Sequence, residues 1–133
     1  MERRTLACAS GALLVAVAFG AFGAHGLKAR VTPEALDQWK TGVEYQFYHG
    51  LGLLLLAALG HSVPANAIRM VRGLFLGGII CFCGSLYLLS TREVLGTMEL
   101  TPVLGPITPL GGLLFMAGWT LLLIRALRGP AQR

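Results

Sequence analysis

Residues 6–24 read LACASGALLVAVAFGAFGA and contain no charged side chain. A helix needs about 20 predominantly apolar residues to cross a hydrocarbon core about 30 Å thick, and this run meets that length. Three further apolar segments follow, at about residues 47–60, 73–90 and 110–127. In lipid a spanning segment must satisfy its own backbone, so apolar runs of this length become helices. Composition agrees. Only 13% of residues are charged and 55% are hydrophobic, whereas a soluble domain carries about 25% charged residues. The mean hydropathy is +0.69. The expected fold is all-α, an integral membrane four-helix bundle. It is one transmembrane domain over residues 1–133, with helices at about 6–24, 33–60, 73–90 and 110–127.

The second segment is short, and the stretch before it, TPEALDQWKTGVEYQ, extends it. Thr32 is a suitable N-cap, Pro33 suits the first helical position and Glu34 complements the helix dipole. One helix is expected from about Pro33 to about Gly60, with polar first turns outside the hydrocarbon. Segment four is preceded by ELTPVLGPITPLGG, where Pro102, Pro106 and Pro109 argue against a continuous helix. A Pro/Gly-rich outer loop, extended or re-entrant, is expected before helix four. The longer stretch STREVLGTMELTPVLGP carries two acids and is either a partner surface or a variable loop. The N-terminal MERR and the apolar run after it have the outline of a signal peptide, with AFGA as a cleavage site. The run is longer than a usual signal core, so a retained first helix is expected.

Basic residues set orientation. With four spans, Arg3, Arg4, Arg69, Arg72, Arg125, Arg128 and Arg133 share one side, and Lys28, Arg30, Lys40 and Arg92 share the other. Both termini are therefore expected in the cytoplasm, and the protein in the cell inner (plasma) membrane. Five of the six acids, Glu34, Asp37, Glu44, Glu93 and Glu99, fall on the outer side. The net charge of +5 lies between apolar runs rather than on one face, so nucleic acid is not an expected partner.

Cys8, Cys81 and Cys83 lie inside apolar runs without metal-ligand spacing to a histidine, and read as small packing residues. The three histidines are His25, His49 and His61, and His61 belongs on the side opposite the other two. No metal site, cofactor or catalytic group is expected.

In lipid, helices associate through close packing, which small residues permit. Cys8, Ala12, Ala16, Gly20 and Ala24 recur at four-residue spacing in segment one. Gly73, Gly77, Cys81 and Ser85 do so in segment three. Both stripes are expected to be close-packed, with each other as one arrangement. The polar residues gather at the outer ends of the segments. His25 ends the first, Tyr45, Gln46, Tyr48 and His49 enter the second, Ser85 and Tyr87 lie in the third, and Thr108 precedes the fourth. His49 and Ser85 each lie roughly 18 Å from the inner end of their helix, which puts them level. A polar group in lipid needs a partner, so one network of His25, Tyr45, Gln46, His49, Ser85, Tyr87 and Thr108 is expected. It reads first as glue between helices and second as a small binding pocket.

GAFGAHGLK, YQFYH, GSLYLL and ITPLGGLLFMAGW follow one another in this order. Together they resemble the domain of unknown function 423 family, which includes the transmembrane protein 256 group. The resemblance runs from about Gly11 to Trp119. It implies a small multi-pass membrane protein with no established biochemical activity and no catalytic residues to transfer. What it does transfer is a set of signature positions: Gly23, His25, Gly26, Tyr45, Gln46, His49, Ser85, Tyr87, Thr108, Pro109, Gly111, Gly112 and Trp119. Trp119 is expected deep in helix four, outside the network.

The leading expectation for function is a non-enzymatic accessory or scaffold component of a membrane assembly, with membrane lipids, a homo-oligomer or a larger complex as partners. The alternatives are an oligomeric small-solute transporter or channel, and a lipid- or quinone-binding protein using the polar cluster. No acid or lysine lies within the apolar segments to form a charged relay.

Overall fold

The computed structural model describes residues 1–128. Arg133, counted above among the basic residues of one side, lies outside them. Four helices account for nearly all of the described chain: α1 (Arg3–Leu27), α2 (Pro33–Ala58), α3 (Ala65–Leu95) and α4 (Thr101–Arg128). Among the described residues there is no strand. Three helices are long and apolar enough to cross a membrane: α1, α3, and α4 with the turn before it.

Each helix starts and stops for a local reason. The Glu2 side chain accepts from the amides of Arg4 and Thr5 and caps α1. Thr32 Oγ1 accepts from the Ala35 amide at 3.2 Å and caps α2, with Pro33 in its first turn. Pro64 precedes α3. Gly96 ends α3 with φ +67°, the left-handed conformation that glycine adopts without a Cβ penalty.

The helices are longer than hydropathy indicates. α3 begins at Ala65 rather than near 73 and ends at Leu95 rather than near 90. Hydropathy marks only the part of a helix that suits lipid, whereas backbone bonding continues until something breaks it. The stretch expected as a Pro/Gly-rich loop is also helical. Thr91–Leu95 belongs to α3, Met98–Leu100 forms one 3₁₀ turn, and α4 then runs through Pro106 and Pro109. Two circumstances permit this. Pro106 gives up only a bond to a first-turn carbonyl, and Pro109 only the one to the Gly105 carbonyl, still close to the start of α4.

Two π-helical turns widen the ladder, Gly23–Leu27 in α1 and Ile79–Cys83 in α3. The first has a visible cause. The Trp39 indole N–H donates to the Phe19 carbonyl at 2.8 Å, inserting a side chain of α2 where the α1 ladder shifts register. The α1 helix therefore passes through His25 instead of ending there.

α2 is the helix around which the others pack, with residues from Leu36 to Ala57 buried along its length. The small face of α1 meets it: Ala9 and Ala16 are fully buried, and a methyl on Gly20 would touch Val43. On its other side α3 packs against α4 through Gly77, Gly78, Gly111 and Gly118. The position a Cβ would take at Gly111 is occupied by the Phe82 backbone. The packed members of the two stripes, Ala16 and Gly20 in α1 and Gly77 and Ser85 in α3, therefore meet α2 and α4 rather than each other, while Ala24 is exposed and Cys8 only half-buried. Gly73, expected in the second stripe, is exposed, and a methyl there would meet nothing within 4 Å.

Candidate functional site

The polar residues form three separate ties rather than one network. In the first, Gln46 of α2 is 3% exposed and bridges two neighbours. Its Nε2 donates to the Ala12 carbonyl of α1 at 2.9 Å, and its Oε1 accepts from the Tyr87 hydroxyl of α3 at 2.8 Å. Phe19, Trp39 and Tyr87 stack around this bridge, with ring centroids 4.6–5.2 Å apart. A methyl on Gly42 would lie 2.8 Å from the Tyr87 ring, so only glycine lets that ring lie against α2.

The second tie centres on His49. Trp119 Nε1 of α4 donates to His49 Nε2 at 3.1 Å, and Nδ1 lies 2.8 Å from the Tyr45 carbonyl. An indole N–H only donates and a carbonyl only accepts. The imidazole therefore carries its proton on Nδ1 and is neutral. Its ring stacks on Phe115, centroids 3.4 Å apart and planes within 8°, and meets Phe75 edge-on.

In the third tie, the Ser85 and Thr108 hydroxyls are 2.7 Å apart and join α3 to α4. Ser85 and His49 are not level. His49 faces Phe75 and Phe115, ten residues before Ser85 and seven after Thr108, which places it about 10–15 Å further along the bundle.

His25 joins none of these. It is exposed, and among the described residues its ring has no hydrogen bond. Tyr45 is also exposed, its ring against Phe82 and near His49. Among the described residues no three of His, Cys, Asp and Glu come together.

Three participants were not anticipated from sequence. Trp39 and Trp119 supply the indole donors of two inter-helix bonds. The chain has only two tryptophans, and a sheltered indole N–H needs an acceptor, so that signal was available. The third is a charged knot at the start of α1. The Glu2 carboxylate accepts from the Thr5 hydroxyl and from Arg72 Nη1, the latter at 3.0 Å. Arg72 Nη1 also donates to Thr5 Oγ1 at 3.2 Å. Hydrogen bonds from the Thr5 hydroxyl, then from the Thr5 and Arg4 amides, and the Arg72 charge hold the Glu2 carboxyl below its ordinary value of 4.5.

Residues 19–112 match the family described as protein of unknown function DUF423. The chain belongs to the DUF423 family. It is 39% identical over 116 residues to the UPF0382 membrane protein YwdK of Bacillus subtilis, covering 86% of this chain and 89% of that protein. The UPF0382 membrane protein SERP0230 of Staphylococcus epidermidis is 40% identical over 115 residues, covering 86% and 88% of the two chains. No solved structure matches. The DUF423 match contains Gln46, His49, Ser85, Tyr87 and Thr108 but not Trp119. The protein is a membrane protein, as these relatives are named.

Proposed function

We propose that this DUF423 protein is a non-enzymatic accessory or scaffold component of a larger membrane assembly or homo-oligomer. It crosses the cell inner membrane four times, with both termini in the cytoplasm. The observation that carries this reading is the pairing of the buried polar groups. Gln46, His49, Ser85, Tyr87 and Thr108 are each hydrogen-bonded to another helix. In lipid such bonds hold helices together, so the hydrogen-bonding capacity of these side chains is used within the bundle rather than on a solute. The topology is supported by Arg3, Arg4, Arg69, Arg72, Arg125 and Arg128 at the ends expected to face the cytoplasm. α2 is the least apolar helix, and the other helices shelter its buried face.

The test is extraction of the full chain in native-membrane particles after crosslinking. A stoichiometric partner or a defined homo-oligomer supports the reading. A lone monomer that conducts a solute in proteoliposomes replaces it with transport. Single cysteines at the exposed Ser62 and Met98, in a background lacking Cys8, Cys81 and Cys83, report orientation by labelling with an impermeant thiol reagent. Labelling of position 98 alone from outside the cell is expected. Labelling of position 62 from outside overturns the topology.

A further inference from the structure

α1 and α3 stand on either side of α2 and leave an apolar groove of about 510 Å³ between them, open to the bundle surface. Its walls are Cys8, Gly11 and Val15 of α1 and Leu76, Ile80 and Gly84 of α3. A methyl built on Gly11 or Gly84 would meet nothing within 4 Å, so at these two positions the walls are open, while Leu76 also packs against the core. Beyond the Cys8–Leu76 end of the groove α1 and α3 are joined by the hydrogen bond from Arg72 to Thr5. Thr5 lies one turn before Cys8, and Arg72 one turn before Leu76. Arg4 and Arg69 continue the same two helix faces toward this end, at i−4 from Cys8 and i−7 from Leu76, and both are exposed. Arg72 uses only Nη1 on Glu2 and Thr5. Among the described residues its other guanidinium nitrogens have no protein partner.

We propose that this groove seats one acyl chain of an anionic glycerophospholipid, whose phosphate is held by Arg4, Arg69 and Arg72. Three features fit that occupant. From Cys8 to Phe19 the groove runs about 16 Å along α1, an apolar length suited to a lipid tail. Guanidinium groups present paired N–H donors that match phosphate oxygens. The charge at this end is complementary: Arg4, Arg69 and Arg72 stand against one acid, Glu2, which is already paired with Arg72. A second copy of the chain fits less well. A two-fold axis along the membrane normal would bring both sets of arginines together at the same level, and like charges repel. This inference does not depend on the accessory reading.

The experiment is native mass spectrometry of the full-length protein, released from micelles supplemented with phosphatidylglycerol or phosphatidylcholine. Phosphatidylglycerol is expected to stay bound where phosphatidylcholine does not. Arg4→Gln and Arg69→Gln should each weaken retention about five-fold. Gly84→Leu fills the groove and should abolish retention while leaving helix content intact and the melting temperature no lower. If that variant fails to fold, Gly11→Leu tests the opposite wall. Equal retention of the two lipids overturns the proposal, as does full retention of phosphatidylglycerol in the filled groove. A dimer that Gly84→Leu converts to monomer also overturns it, and assigns the groove to a second copy.

Discussion

The Trp119 indole donates to Nε2 of His49 across the α2–α4 interface at 3.1 Å, and His49 Nδ1 donates to the Tyr45 carbonyl. Both imidazole nitrogens are thereby committed. Trp119→Phe keeps an aromatic ring and removes the donor. It is expected to lower stability by about 0.6 kcal/mol, and by no more than about 1.7 kcal/mol, the range of hydrogen bonds between membrane helices. Reversible unfolding in mixed micelles measures it. Nitrogen shifts of the His49 ring should show a protonated Nδ1 and an unprotonated Nε2.

His25 and His49 share no tie. The effects of His25→Ala and His49→Ala should add within about 0.5 kcal/mol, with nearly all the loss coming from His49, which also stacks on Phe115. Thermal melts of the two single variants and the double variant test this. A larger coupling would mean that the exposed ring of His25 reaches the bundle interior.

The Gln46–Tyr87 bond predicts an asymmetry. Tyr87→Phe leaves the buried Gln46 Oε1 without its donor and should cost about 1–3 kcal/mol. Adding Gln46→Leu removes the orphaned group, so the double variant should lose less than the sum of the two single variants. Strict additivity in that cycle would contradict the bond.

Glycines on α3 and α4 divide sharply. Gly111→Ala drives a methyl into the Phe82 backbone and should cost about 1–3 kcal/mol through overpacking. Gly73→Ala meets nothing within 4 Å and should stabilise by roughly 0.5–1 kcal/mol through helix propensity. The two melting temperatures, one down and one up, are the check.

Glu2 carries the pH dependence of the charged knot. Its carboxyl is held below 4.5, first by the Thr5 hydroxyl. A carboxyl depressed in the folded state stabilises above its unfolded value, and that contribution is lost as pH falls through the folded value. Glu2→Gln should therefore lower the melting temperature at neutral pH, and its curve should converge with that of the unaltered chain below pH 4.5. Parallel curves down to low pH would exclude this role.

How much of this was legible without a structure differs from residue to residue. Leu6–Ala24, without a charge and longer than a usual signal core, read as a membrane helix. Thr32 and Pro33 marked the start of α2 because caps act through near neighbours. The same local reasoning failed at Pro106 and Pro109. Both prolines stand close to the start of α4, where missing amides cost little, and that start at Thr101 is not marked by the prolines themselves. Partner choice was not local at all. Which face of α1 meets α2, and that Trp119 rather than His25 meets His49, depend on helix rotation and relative depth. Those follow from fitting Gly42 against Tyr87 and Gly111 against Phe82, contacts between residues 40 or more and about 30 positions apart. The sequence by itself determined that the chain is helical, suited to a membrane and in need of internal hydrogen bonds. Only the tertiary structure decided which polar groups meet, because a buried bond is made wherever close packing brings donor to acceptor.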